Sequence, residues 1–156
     1  MKKLIILFTV LLNTQTFACD KYVVGFKGIK DIFDNQAFVE YANKTDSCYK
    51  AFSFTHTGQA VKFISTLDVP YQLYGFSAGA SSVGQVLASV KQHKMAMPYY
   101  VITVGAYKTT NVNFDKYNVK YNNYFDESGI GQKSPGMMIK GVGHANIQKF
   151  VNRSLD

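Results

Sequence analysis

From residue 20 onward, short apolar runs alternate with segments whose apolar residues recur at helical spacing. Tyr22-Val23-Val24-Gly25-Phe26 reads as a short buried strand. A helix is expected to begin near Asp34, a residue type suited to an N-cap, with Phe38, Tyr41 and Ala42 on one face. Cys48 to Phe54 reads as a second strand, and Ala60, Val61, Ile64 and Leu67 mark a short second helix. Pro70 introduces the strand Tyr71 to Phe76. Directly after it, Ala80, Val83, Leu87 and Val90 recur at helical intervals up to about His93. Pro98 breaks that helix, and Tyr99 to Gly105 is the most hydrophobic strand. Residues 106–118 are rich in Thr and Asn and read as a loop with one helical turn. Val119 to Phe125 and Met137 to Lys140 read as two further strands. A final helix carries Ile147, Phe150, Val151 and Leu155, with Lys149 and Arg153 near its negative end. Strand–helix alternation with apolar strands predicts a small three-layer α/β sandwich. Its sheet should be mostly parallel, with about six strands and helices on both faces.

The beginning of the chain does not share this pattern. Lys2 and Lys3 precede an apolar run from Leu4 to Leu12, then a polar stretch and Thr16-Phe17-Ala18. This is the layout of a secretory signal peptide, and the run is shorter than the roughly 20 residues needed to span a bilayer. Residues 1–18 are therefore expected to be an export signal, leaving 19–156 as a single domain that is secreted or periplasmic. The whole sequence has 17 basic and 10 acidic residues; without Lys2 and Lys3 it is at +5. Acids are interspersed among the bases and no compact Lys/Arg cluster stands out, so nucleic acid is not an expected partner. Weak association with an anionic membrane or cell envelope is compatible with the charge. Two cysteines remain, Cys19 and Cys48. In an exported chain they pair most simply as a disulfide. Lipidation of Cys19 at the Ala18-Cys19 junction is the other reading, although Thr16 stands where a large aliphatic residue is expected.

The sharpest chemical signal is Gly75-Phe76-Ser77-Ala78-Gly79, at the boundary between a predicted strand and a predicted helix. A sharp turn there lifts the serine hydroxyl above the sheet, and the helix start behind it offers free N–H groups to a developing oxyanion. Serine needs a base to act as a nucleophile. His144, in the glycine-rich Gly141-Val142-Gly143-His144, follows Ser77 in the expected order. His93 lies 16 residues along the helix from Ser77, about 24 Å away, and is out of reach. His56 follows the second strand; as base it would break the order, and contact with substrate suits it better. A carboxylate should orient the imidazole. Asp126 ends a strand and precedes His144, with Glu127 adjacent and Asp115 in an earlier loop as the other candidates. The loop Gly25-Phe26-Lys27-Gly28-Ile29 can offer a second oxyanion donor besides the Ala78 N–H. No Cys/His spacing suggests a metal, and neither GxxxxGK[ST] nor a strand-following GxGxxG is present, so no cofactor is expected.

With these residues in view, the chain resembles the α/β-hydrolase superfamily, and its motif spacing is most similar to class 3 lipases. VVGFKG (23–28) resembles the segment before their oxyanion loop, YGFSAGA (74–80) their nucleophile elbow, and VITVGAYKTTN (101–111) the strand and loop that follow. NYFDES (123–128) resembles their acid-bearing turn and GVGHANI (141–147) their histidine loop. The resemblance implies Ser77, Asp126 and His144 as triad and Ala78 and Ile29 as backbone oxyanion donors. Ile29 stands where the family usually carries Ser or Thr, and Phe76 where a His is common. Phe26, Phe76 and His56 are expected to line the substrate cleft. The short chain carries no insertion that could form a lid, which implies an open cleft for small-molecule or polymeric esters. The expected activity is hydrolysis of carboxylic esters or thioesters through an acyl-enzyme. The competing expectation is a non-catalytic binding protein on a degenerate hydrolase scaffold.

Overall fold

The computed structural model describes residues 19–29, 34–106, 112–127 and 136–154. The proposed signal segment, residues 1–18, and Leu155 lie outside the described residues, as do 107–111. The described elements are β1 (Tyr22–Lys27), α1 (Asp34–Lys44), β2 (Cys48–Ser53), α2 (Thr57–Ile64), β3 (Tyr71–Phe76) and α3 (Ala78–Gln92). They continue with β4 (Tyr100–Val104), a 3-10 turn at Asp115–Tyr117, β5 (Lys120–Asp126), β6 (Met137–Ile139) and α4 (Ile147–Arg153). The expected helical turn in the Thr/Asn-rich loop is this 3-10 turn.

All six strands join one sheet in the order β2-β1-β3-β4-β5-β6, and every neighbouring pair is parallel. Parallel strands need crossovers, and α1, α2 and α3 provide them for the first four strands. Both sheet faces are covered, so a central strand is buried throughout: each residue of Tyr71–Phe76 is inside, Gln72 satisfied by the Tyr41 hydroxyl, which donates to its Oε1 at 2.8 Å. Alternation along the strands divides the core in two. Val24, Phe26, Leu73 and Val101 pack on one face with Ile64 of α2 and Val83, Val86, Leu87 and Val90 of α3. Val23, Tyr74, Phe76, Ile102, Val104 and Tyr124 pack on the other with Phe38 and Tyr41 of α1 and Ile147 and Val151 of α4.

The last helix departs from its sequence pattern. Phe150 is exposed, whereas Gln148 and Asn152 are buried. The reason is a long-range polar tie: the Asn152 amide donates to Ala37 O of α1 at 2.8 Å and its Oδ1 accepts from the Tyr74 hydroxyl at 3.3 Å. That turns the polar flank of α4 inward and leaves Phe150 outside. Met137 and Met138, on the edge strand β6, are likewise exposed.

Cys19 and Cys48 form a disulfide with a Cα–Cα separation of 5.8 Å. It fastens the residues preceding β1 to the start of β2, where Cys48 N–H also donates to Lys21 O. The Cys19 sulfur is thus engaged, in keeping with the disulfide and not with lipidation. Among the described residues no helix is long and apolar enough to cross a membrane.

Candidate active site

In a parallel sheet every strand ends at the same edge, so the residues just after β1, β3, β5 and β6 are brought together there. Ser77 occupies the single position between β3 and α3. Its φ of 54° and ψ of −119° lie in a region that non-glycine residues rarely enter, the strained turn expected of a nucleophile elbow. The Ser77 N–H donates to Val104 O at 2.9 Å, so the neighbouring strand pins the turn.

The tightness of this turn depends on what glycine leaves out. A methyl group on Gly79 would lie 2.0 Å from Phe26 O and 2.8 Å from Lys27 O. The first turn of α3 therefore rests directly on the end of β1, and the loop after β1 adjoins the elbow. Ala80 N–H donates back to Ser77 O at 3.1 Å, whereas helix geometry leaves the N–H of Ala78, the first residue, without an intrahelical acceptor. Ala78 is the first residue of α3 and is buried; Ile29 sits in the adjoining loop with its side chain 62% exposed. Residues 30–33 lie outside the described residues.

His144 arrives from the loop after β6. Its Nε2 lies 3.0 Å from Ser77 Oγ and its Nδ1 lies 3.0 Å from Asp126 Oδ2. A carboxylate can only accept, so Nδ1 carries the proton toward Asp126 and Nε2 accepts from the serine hydroxyl. Asp126 is the last residue of β5 and its side chain is fully buried, while the His144 side chain keeps 27% exposure. The other candidates are elsewhere. Glu127 is exposed. Asp115 is exposed in the turn before β5, at the opposite end of that strand, about 20 Å from its carboxyl edge. His93 caps the end of α3, its Nδ1 2.8 Å from Ser89 O.

The three expected cleft-lining residues separate. Phe26 is fully buried and stacks on Phe52 at 6.2 Å, within the core under α2 and α3. This corrects its reading as a substrate contact: its parity with Val24 turns the side chain into the sheet-helix interior, and only its carbonyl reaches the elbow. Phe76 is 9% exposed and stacks on the His144 imidazole, with ring centroids 5.4 Å apart and planes 21° from parallel. His56 is exposed at the start of α2, just past the end of β2. It lies at the same edge of the sheet as Ser77, but on the outer strand, with β1 between it and β3.

One site residue carried no sequence signal beyond ending an apolar strand. Gly105 has φ +61°, and a methyl group there would lie 2.8 Å from His144 Cε1 and 2.9 Å from its Nδ1. Glycine at this position lets the imidazole approach the end of β4. Among the described residues no group of His, Cys, Asp and Glu could hold a metal ion.

No protein-family model and no curated protein sequence matches the chain. Solved structures do. Human thioesterase 2 superposes with a TM-score of 0.55 at 11% identity, covering 87% of this chain and 96% of that one. The RedJ thioesterase of the prodiginine biosynthetic pathway in Streptomyces coelicolor gives a TM-score of 0.58 at 10% identity, covering 89% and 84%. An esterase from Pyrobaculum calidifontis gives 0.58 at 8% identity, covering 88% and 76%. At such identities the likeness concerns the backbone: a parallel sheet of six strands with helices on both faces, which is the α/β-hydrolase fold.

Proposed function

We propose that this protein is an exported serine hydrolase that cleaves carboxylic esters or thioesters. The observation that carries the reading is the chain of contacts from Ser77 Oγ through His144 to Asp126, each at 3.0 Å. Ser77 attacks the substrate carbonyl while His144 Nε2 takes its proton. Asp126 accepts from Nδ1–H and stabilises the imidazolium that forms. The N–H groups of Ala78 and Ile29 receive the oxyanion. The tetrahedral intermediate collapses, the bond to the alkoxide or thiolate breaks, and His144 returns the proton to that leaving group. Water then repeats the sequence on the acyl-enzyme, giving the free acid and restoring Ser77.

Thioesterases and esterases among the similar solved structures support an ester or thioester substrate. The resemblance of its motif spacing to that of class 3 lipases belongs to the same reading. His56 contacts the outer part of the substrate. The Cys19–Cys48 disulfide supports an extracellular or periplasmic setting, with residues 1–18 as the removed signal and 19–156 as one domain.

The test is covalent labelling of the mature protein by a fluorophosphonate, together with turnover of p-nitrophenyl esters and acyl thioesters. Wild type is expected to label and to turn over substrate; Ser77→Ala should do neither while keeping its thermal unfolding transition. A folded wild type that never labels would leave the scaffold as a binding protein and sink the reading.

A further inference from the structure

Hydrogen bonds to Asp126 and Ser77 hold the two nitrogens of the His144 ring, and a tilt about the line joining those nitrogens would preserve both. The backbone runs through a turn in which Asn146 N–H donates to Gly143 O at 2.9 Å. His144 follows Gly141, at φ +72°, and Gly143. Phe76 and Gly105 also meet the ring. The face of Phe76 lies nearly parallel to it at 5.4 Å between centroids, within the range of attractive aromatic stacking. The backbone of Gly105 comes so close that a methyl group would sit 2.8 Å from the ring.

We infer that Phe76 and Gly105 form a slot that fixes the plane of the His144 imidazole, and that Phe76 is a positioning residue for the reaction; this rests on the hydrolase reading. Phe76 precedes Ser77 directly and is buried at the end of β3. One stretch of backbone thus places both the nucleophile and the surface against which its base lies. The contact also has an electrostatic consequence. An aromatic face attracts a cation, and His144 gains its positive charge only as Ser77 gives up its proton. An interaction that strengthens only on the way to the transition state raises kcat and leaves KM alone. A residue lining the acyl pocket would do the reverse, with an effect that varies with acyl length.

The experiment compares wild type, Phe76→Leu and Phe76→Tyr on a series of p-nitrophenyl esters of increasing acyl length. Leu keeps apolar bulk but has no aromatic face. Phe76→Leu should lower kcat about threefold to thirtyfold, equally at every length, with KM unchanged. Phe76→Tyr should recover most of the loss. In parallel, NMR of the wild type should show a nuclear Overhauser contact between the Phe76 ring and a His144 ring proton, read without turnover or mutation. Absence of that contact overturns the slot. So does a Leu variant that keeps its kcat, or one whose defect is a KM change graded by acyl length. A wild type that shows the contact but neither labels nor hydrolyses removes the hydrolase reading, and with it the role assigned to Phe76.

Discussion

Replacing Gly105 by Ala tests how closely the imidazole is held. The added methyl would lie 2.8 Å from His144 Cε1 and 2.9 Å from Nδ1. Ordinary contact begins near 3.4 Å, so the ring must retreat by at least about 0.6 Å. The ring is bonded at both nitrogens at 3.0 Å, and a retreat of that size along either bond would stretch it toward about 3.6 Å, beyond hydrogen-bond range. A misplacement of about 1 Å at a reacting group can cost on the order of a hundredfold in rate, so a fall in kcat of about tenfold to hundredfold is expected. The backbone adds a separate cost. Gly105 sits at φ +61°, where a Cβ costs about 1 to 2 kcal/mol. The unfolding midpoint should therefore fall by several degrees, about 3 to 8 °C for a domain of this size. The Gly105 N–H bond to Tyr124 O at 2.8 Å remains available, so the variant should still fold. Steady-state kinetics on one ester, the rate of fluorophosphonate labelling and a thermal melt measure all three effects. A variant that melts lower as expected but keeps kcat within threefold would show that the imidazole has slack, contradicting the argument.

Further expectations concern the acid, the disulfide and the tyrosines. Asp126→Asn keeps the shape of the buried side chain but loses the charge that holds the Nδ1–H tautomer; kcat should fall about ten-thousandfold with little change in KM, measured on the same ester. Cys48→Ser opens a loop of 29 residues and should cost about 3 kcal/mol in denaturant unfolding, with a similar loss when wild type is reduced. Burial holds the hydroxyls of Tyr41 and Tyr71 well above the usual tyrosine range, and for Tyr41 the nearby Tyr100, Tyr99 and Tyr124 add to the effect; burial likewise pushes Tyr100 up to about 12. Unfolded tyrosine ionises near pH 10, before these groups do in the folded chain. The stability they confer is therefore complete below pH 10 and declines as pH rises through the window up to their folded values, by about 1.4 kcal/mol per pH unit for each of Tyr41 and Tyr71. Unfolding should coincide with tyrosinate absorbance; phenolate signal from all eleven tyrosines at pH 10.5 in a still-folded protein would contradict this.

The way the site assembles explains which parts of it were legible in the sequence. Strands buried on both faces appear as mostly apolar runs, which is why Tyr71–Phe76 and the run ending at Val104 could be read from local composition despite Gln72 and Thr103. The elbow was legible because Gly75 and Gly79 mark close approaches: a side chain at Gly79 would collide with the Phe26 carbonyl. The chain also orders its candidate groups 77, 126 and 144, scattered along the sequence. A parallel sheet whose strands all end at one edge converts that order into proximity, so Ser77 after β3, Asp126 closing β5 and His144 beyond β6 meet without any local signal linking them.

What was not legible are the contacts decided by side-chain parity and by packing between distant elements. Phe26 shares its strand face with Val24 and enters the core, whereas Phe76, on the opposite face, meets the imidazole. Each follows a glycine near a strand end, so immediate neighbours do not tell them apart. Parity alone, counted from Val24 and from Tyr74, separates them. In α4, the bonds from Asn152 span 115 and 78 residues, and two turns of helix are too few for apolar spacing to outweigh them. A buried hydrogen-bonded amide thus fixed the rotation of the helix, and Phe150 was left outside. The same rotation places Ile147 inward beside Gly105, so the packing that misled the helical pattern also supports the loop from which His144 reaches the serine.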